Sequence, residues 1–205
     1  MTAEKKTSFK ERVKADFTTV AWVLIPIGIA INLVGRFIIQ ILNLPLFLDT
    51  IGTVLVAFLS GPFVAAITGL LTNFVIGLTM NPTSFPFALV NAAIGLVAGG
   101  LAARGYLKTF PKAVILTLAL TVTTIVIASP IVVFVFGGVQ GTGADAVTGF
   151  FMATGRQMIQ SVVGSQLIVQ PLDKVITVLL SFFLVKGVPN RYRPPFAQRA
   201  MPFNK

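Results

Sequence analysis

Long apolar runs of roughly membrane-crossing length, separated by short turn-rich or basic gaps, constrain this chain more than any other feature. A helix needs ~20 apolar residues to traverse the ~30 Å hydrocarbon core of a bilayer. Candidate spans are read at residues 18–42, 50–59, 63–79, 87–103, 113–136 and 146–186. Between the second and third, Ser60, Gly61 and Pro62 interrupt the apolar pattern. Proline lacks a backbone donor and glycine favours turns, so the triplet predicts a tight reversal rather than one continuous helix. Only 11% of the residues are charged, against about 25% in a soluble domain. The polar surface that a water-soluble fold requires is missing.

The last apolar run, divided by Pro171, is long enough for two crossings, or for one crossing plus an outer helix. Charge placement decides between them, because Lys and Arg concentrate in cytoplasmic loops. Lys5, Lys6, Lys10, Arg12 and Lys14 precede the first span, and Arg104, Lys108 and Lys112 separate the fourth from the fifth. Lys186, Arg191, Arg193, Arg199 and Lys205 end the chain, while the loops 43–49, 81–86 and 137–145 contain no basic residue. All three basic groups face one side only if the number of crossings between the tails is even; seven spans would break the pattern. The expectation is an all-α, polytopic protein of the cell membrane, a six-transmembrane-helix bundle with both termini cytoplasmic. Residues 1–17 form an N-terminal tail, 18–186 the transmembrane domain and 187–205 a C-terminal tail. The stretch 146–186 crosses once, its first part serving as an outer helix or helix extension.

The net charge of +10 does not indicate nucleic acid, since the basic residues sit in gaps between apolar runs and not on one face beside base-stacking groups. The chain has no Cys and no His, which removes thiolate chemistry, imidazole bases and the commonest metal ligands. No phosphate-cradling loop, carboxylate pair or activated nucleophile is present, so no catalytic residue, resident cofactor or metal is expected. The N-terminus is too charged before its first apolar run to read as a cleaved signal.

Several polar side chains stand where lipid should exclude them: Arg36, Arg156, Asp173, Lys174, Asn32, Asn73, Asn91, Gln157, Gln160, Gln166 and Gln170. A charge at mid-bilayer costs about 2.5–3.5 kcal/mol on insertion scales, so such groups should face a bundle interior or a cavity. Arg36 is read as reaching the outer interface or pairing with Asp49. Asn32 and Asn73 read foremost as interhelical hydrogen-bonding groups. Asp173 and Lys174, about 100° apart on a helix, are expected not to neutralise each other face to face. Arg156 and Gln160 share a face at i, i+4 and, with Gln157, lie at the outer end of the last run, opposite the loops 43–49 and 81–86. The predicted substrate-binding set is therefore Asp49, Asn81, Phe85, Asn91, Arg156, Gln157, Gln160 and Lys174. Small residues recur at helical spacing as Gly28, Asn32 and Gly35 on the first span and as Ala65, Gly69 and Asn73 on the third. This allows close helix approach, either within the chain or against a partner subunit; Gly28, Asn32, Gly35, Ala65 and Gly69 are the partner-docking candidates.

Two segments, LPLFLDTIGTVLVAFLSGPFVAAITGLLTNFVIG at 44–77 and QPLDKVITVLLSFFLV at 170–185, resemble the substrate-binding S components of energy-coupling factor (ECF) transporters. Size, spans and terminal placement extend the likeness over nearly the whole chain. The resemblance implies a binder of a vitamin or vitamin precursor, with a pocket near the outer face built from loops one and three and spans four to six. It also implies docking through the first three spans onto a transmembrane coupling protein driven by two ATPases, with toppling in the membrane to release substrate inside. The family's Ala-x-x-x-Ala docking pattern is replaced here by Gly28-Ile29-Ala30-Ile31-Asn32. The chain most resembles members assigned to cobalamin, which, without His, would be held by shape and amide contacts. Riboflavin, stacking on Phe85 or Phe87, is the less favoured ligand. Other classes are a membrane sensor domain, which requires a signalling partner, and an intramembrane enzyme, for which no catalytic constellation is seen.

Overall fold

The computed structural model describes residues 13, 16–189, 191 and 193–200. The basic residues Lys5, Lys6, Lys10, Arg12, Lys14 and Lys205, on which part of the charge argument rests, lie outside them. Among the described residues every regular element is helical: α1 (Thr19–Leu42), α2 (Ile51–Ser60), α3 (Pro62–Thr79), a 3₁₀ segment (Pro82–Phe87), α4 (Ala88–Ala103), α5 (Phe110–Pro130), a π-helical turn (Ile131–Val135), α6 (Ala144–Ala153), α7 (Met158–Gly187) and α8 (Pro195–Ala200).

Five stretches are long and apolar enough to cross a membrane: Thr19–Leu42, Pro62–Thr79, Pro82–Ala103, Phe110–Val135 and Met158–Gly187. The expected second span differs from them. Its helix, α2, has ten residues, all of them buried; at 1.5 Å per residue it covers ~15 Å, about half the hydrocarbon core. It is a central rod packed by α1, α3, α4 and α7. Gly61 (φ 92°) then turns the chain into α3, with Pro62 at the first helical position, so the predicted reversal is present.

Close packing around α2 depends on residues without side chains. A Cβ on Gly52 would collide with the carbonyl of Gly28, and one on Gly69 would lie 2.6 Å from the carbonyl oxygen of Asn91. The α1–α2 and α3–α4 contacts are thus backbone to backbone, which in lipid replaces the missing hydrophobic drive with dispersion and hydrogen bonding. The small-residue stripe lines these contacts: Gly28, Asn32, Gly35, Ala65 and Gly69 are all buried inside the chain.

The final apolar run divides at residues 154–157, where Gly155 has φ +81°, and not at Pro171, which lies inside the continuous α7. One lost backbone hydrogen bond is tolerated in a membrane helix when neighbours cover the freed carbonyl. Of the stretch expected as a C-terminal tail, Pro195–Ala200 form α8, which packs on α2 and α4 with Ala197 and Ala200 buried. The Asp16 carboxylate accepts a 3.4 Å hydrogen bond from the N–H of Phe63 and senses the charge of Arg199. The first and last described segments therefore meet at the α2–α3 reversal, at one end of the bundle. Large apolar side chains such as Trp22, Ile41, Leu78, Val126 and Phe183 cover the exterior, as a bilayer-facing surface requires.

Candidate functional site

The site grows from α7. Gln166, Gln170 and Lys174 recur at i, i+4 and i+8, which places them on one helix face, and all three are buried. Gln170 Nε2 donates to Gln166 Oε1 at 2.7 Å. Lys174 Nζ lies 2.6 Å from Asp173 Oδ2 and 3.4 Å from Thr50 Oγ1. The expectation that Asp173 and Lys174 do not neutralise each other is thus corrected: a four-carbon stem lets the lysine ammonium fold back across the angle that separates the two Cβ atoms. Asp173 Oδ1 accepts from the N–H groups of Phe47 and Leu48 at 3.0 and 2.9 Å. Leu48 sits at φ 46°, a conformation unusual for a residue with a Cβ, and Asp173 holds the α1–α2 loop in it.

A second set of polar groups ties α1, α2, α3 and α4 together. Asn32 Nδ2 donates to Thr53 Oγ1 and Thr72 Oγ1, and its Oδ1 accepts from the N–H of Gly52. Thr53 donates to Asn91 Oδ1, whose Nδ2 donates to Asn73 Oδ1 and to the carbonyl of Asp49. Asn73 Nδ2 reaches the carbonyl of Ser84. The interhelical role expected of Asn32 and Asn73 is what these bonds describe.

Between the two sets lies a cavity with about 50 Å³ of free space; counted together with open solvent it is about 550 Å³. Arg36, Asp49, Asn73, Asn91, Gln166, Gln170 and Lys174 supply polar wall; Phe47, Phe87, Val90, Ile94 and Ala128 supply apolar wall. Phe87 is backed by Phe136, with ring centroids 5.8 Å apart and planes 8° from parallel. A second hollow, of about 730 Å³ including open solvent, shares Arg36 and Thr142 with the first and is bounded by Asn43, Asn81 and Asp145. The Asp145 carboxylate accepts from the N–H groups of Gln140, Gly141 and Thr142, ordering the glycine-rich loop over both spaces. Both lie toward the end of the bundle opposite the Gly61 reversal.

Of the residues expected to bind substrate, Asp49, Asn91 and Lys174 come together in the inner wall, and Asn81 borders the outer hollow. Phe85 instead packs edge-on against Phe74 and over Gly77. Arg156, Gln157 and Gln160 are exposed where α6 meets α7, with the Arg156 guanidinium 5.3 Å above the Phe151 ring, outside both spaces. Arg36 meets Asp49 at 3.8 Å, the pairing anticipated as one of its two readings. Sequence reasoning did not assign Gln166 and Gln170 to the pocket, although their spacing from Lys174 carried the signal. Nothing in the sequence pointed to Thr50, Thr142 or Gln140, which loop geometry brings to the wall.

The chain matches the family model described as ECF transporter, substrate-specific component, over residues 21–191. It belongs to this family. A comparison with curated proteins and one with solved structures gave no match. As an ECF S component the chain is a substrate-binding membrane subunit and not an enzyme; ATP hydrolysis is the work of partner ATPases in the transporter module. Multiple apolar helices make it a multi-pass membrane protein.

Proposed function

We propose that this S component captures a small vitamin-type molecule from the outer side of the cell membrane in the cavity between α7 and the α1–α2 loop. A transmembrane coupling protein and two ATPases would then drive its release inside. The observation that carries the reading is the cavity itself: costly polar groups from several elements converge on one space that apolar wall also lines, as ligand sites do. The meeting of the first and last described segments at the Gly61 end supports an even number of crossings. In that arrangement α2, continued by the extended loop above it, counts as the sixth, and the basic termini lie in the cytoplasm. The docking surface is assigned to the outward side of α1, where Val23, Ile27, Ala30 and Val34 are exposed, because the small-residue stripe is buried.

Cobalamin is the expectation that fits least well. The space free for a ligand is about 50 Å³, below the 300–1,000 Å³ of drug-sized sites, and a corrinoid is far larger than that class. A small vitamin is the better reading. Vesicles holding the chain with its coupling protein and both ATPases should accumulate the vitamin in an ATP-dependent way, and the chain alone should bind it without accumulating it. Full-rate accumulation by the lone chain would refute the assignment.

A further inference from the structure

One charged group in the cavity wall, Arg36, has hydrogen-bonding capacity that the protein leaves unused. Arg36 is 9% exposed, and among the described residues the one polar contact of its guanidinium is Asp49 at 3.8 Å. That distance is too long for a hydrogen bond. A guanidinium presents five N–H donors in a rigid fork, and Arg36, which lines both spaces, holds them available to a ligand. Two neutral atoms of the same wall are also without partners: Gln170 Oε1 and Thr142 Oγ1 are buried and make no hydrogen bond.

Charge bookkeeping limits what can fill the space. Lys174 is met by Asp173 at 2.6 Å and Arg36 faces Asp49, so the formal charges of the wall cancel in pairs. A ligand with a net charge would bring an uncompensated ion into a desolvated site. An uncharged one that offers an acceptor beside a donor would satisfy Arg36 and Asp49 together. Phe87, held flat against Phe136, provides an aromatic face for a planar ring.

Resting on the capture reading above, we propose that the ligand is an uncharged planar heterocycle with a lactam or ureide edge. Its ring carbonyl accepts from Arg36 and the neighbouring ring N–H donates to Asp49. Gln170 Oε1 receives a further donor of the ligand, and Thr142 Oγ1 completes the polar rim.

The test is competitive retention on the full-length chain in detergent, read by mass spectrometry after equilibrium dialysis. The mixture contains lumazine and uracil as lactam and ureide probes, 1,3-dimethyllumazine as the N-methylated control, nicotinate and benzoate as carboxylates, and tyramine and thiamine as cations. The wild type should retain the lactam or ureide probes above all others and reject the dimethylated compound. Arg36→Gln and Asp49→Asn should each lower that retention at least about tenfold, measured on protein with wild-type melting and gel-filtration behaviour; if one variant fails that check, the other carries the test. Preferred retention of a carboxylate or a cation, or equal retention of 1,3-dimethyllumazine, overturns the lactam-edge proposal while leaving capture intact. Retention of no compound from any class overturns capture and this proposal together.

Discussion

Asp173 and Lys174, neighbours in sequence, form an ion pair of 2.6 Å in which the aspartate is also tied to the loop backbone at Phe47 and Leu48. The pair does two things at once. Its acidic member pins the α1–α2 loop to α7, and its basic member presents an ammonium to the cavity with its charge already balanced.

Breaking one side of that pair should be more damaging than removing both. Removing one partner of a buried pair costs about 3–5 kcal/mol, whereas replacing both with apolar groups can be close to neutral. Asp173→Leu and Lys174→Leu should each lower the melting temperature of the detergent-solubilised chain sharply. The double variant should melt above the Asp173→Leu single, though below wild type because the loop N–H groups stay unpaired. Strictly additive losses would show that the two residues do not act as a pair.

Asn32 joins three helices through three hydrogen bonds. Interhelical bonds in membrane proteins average about 0.6 kcal/mol each, so Asn32→Ala should destabilise by about 2 kcal/mol in a reversible unfolding assay. A change within a few tenths of a kcal/mol would mean that the network adds little to stability.

Two glycines should respond in opposite directions. Gly52→Ala forces a methyl group into the backbone of α1 at Gly28 and should cost at least about 1–3 kcal/mol, as overpacking does. Gly100, on α4, has open space where its Cβ would be, and Gly100→Ala should stabilise by about 0.5–1 kcal/mol through helix propensity. Equal effects at the two sites would contradict the close approach of α1 and α2.

The Asp16 carboxyl, at the Gly61 end, is pushed up to about 6 by burial, against the opposing pull of the Phe63 N–H and the Arg199 charge. A raised folded-state value means that the protonated form favours folding. Its contribution is complete below the ordinary carboxylate range near 4 and fades as the pH rises through about 6. The melting temperature should therefore decline between about pH 4 and pH 6.5 by an increment that Asp16→Asn abolishes. An identical pH profile in the variant would remove Asp16 as the source.

Much of the bundle was legible because lipid imposes a simple rule on sequence: apolar length sets each span, and Gly-Pro marks a reversal. The identity of α2 as a buried rod was hidden, since a short apolar run reads alike whether lipid or protein surrounds it. The site was half legible. Burial cost flagged Asn91 and Lys174, and the anticipated pairing with Arg36 brought in Asp49, but the same reasoning chose Arg156, Gln157 and Gln160, because i, i+4 spacing says that residues share a face and not which way it points. Projection onto a helical wheel also misjudged Asp173 and Lys174, as it ignores the reach of a long side chain. The stripe of Gly28, Gly35 and Gly69 illustrates the same limit: spacing reveals close approach but not whose backbone approaches.

The central claim, that the α7 cavity holds the transported solute, is tested most directly by mass spectrometry of the small molecule that co-purifies with three forms of the chain. Ala128 lines the cavity and is 3% exposed, so Ala128→Phe should fill the space, while Arg156→Ala lies outside it. The account predicts a bound compound in the wild type and in Arg156→Ala, and its loss from a folded Ala128→Phe variant. Retention by Ala128→Phe with loss from Arg156→Ala would contradict it and move the site to the α6–α7 connection.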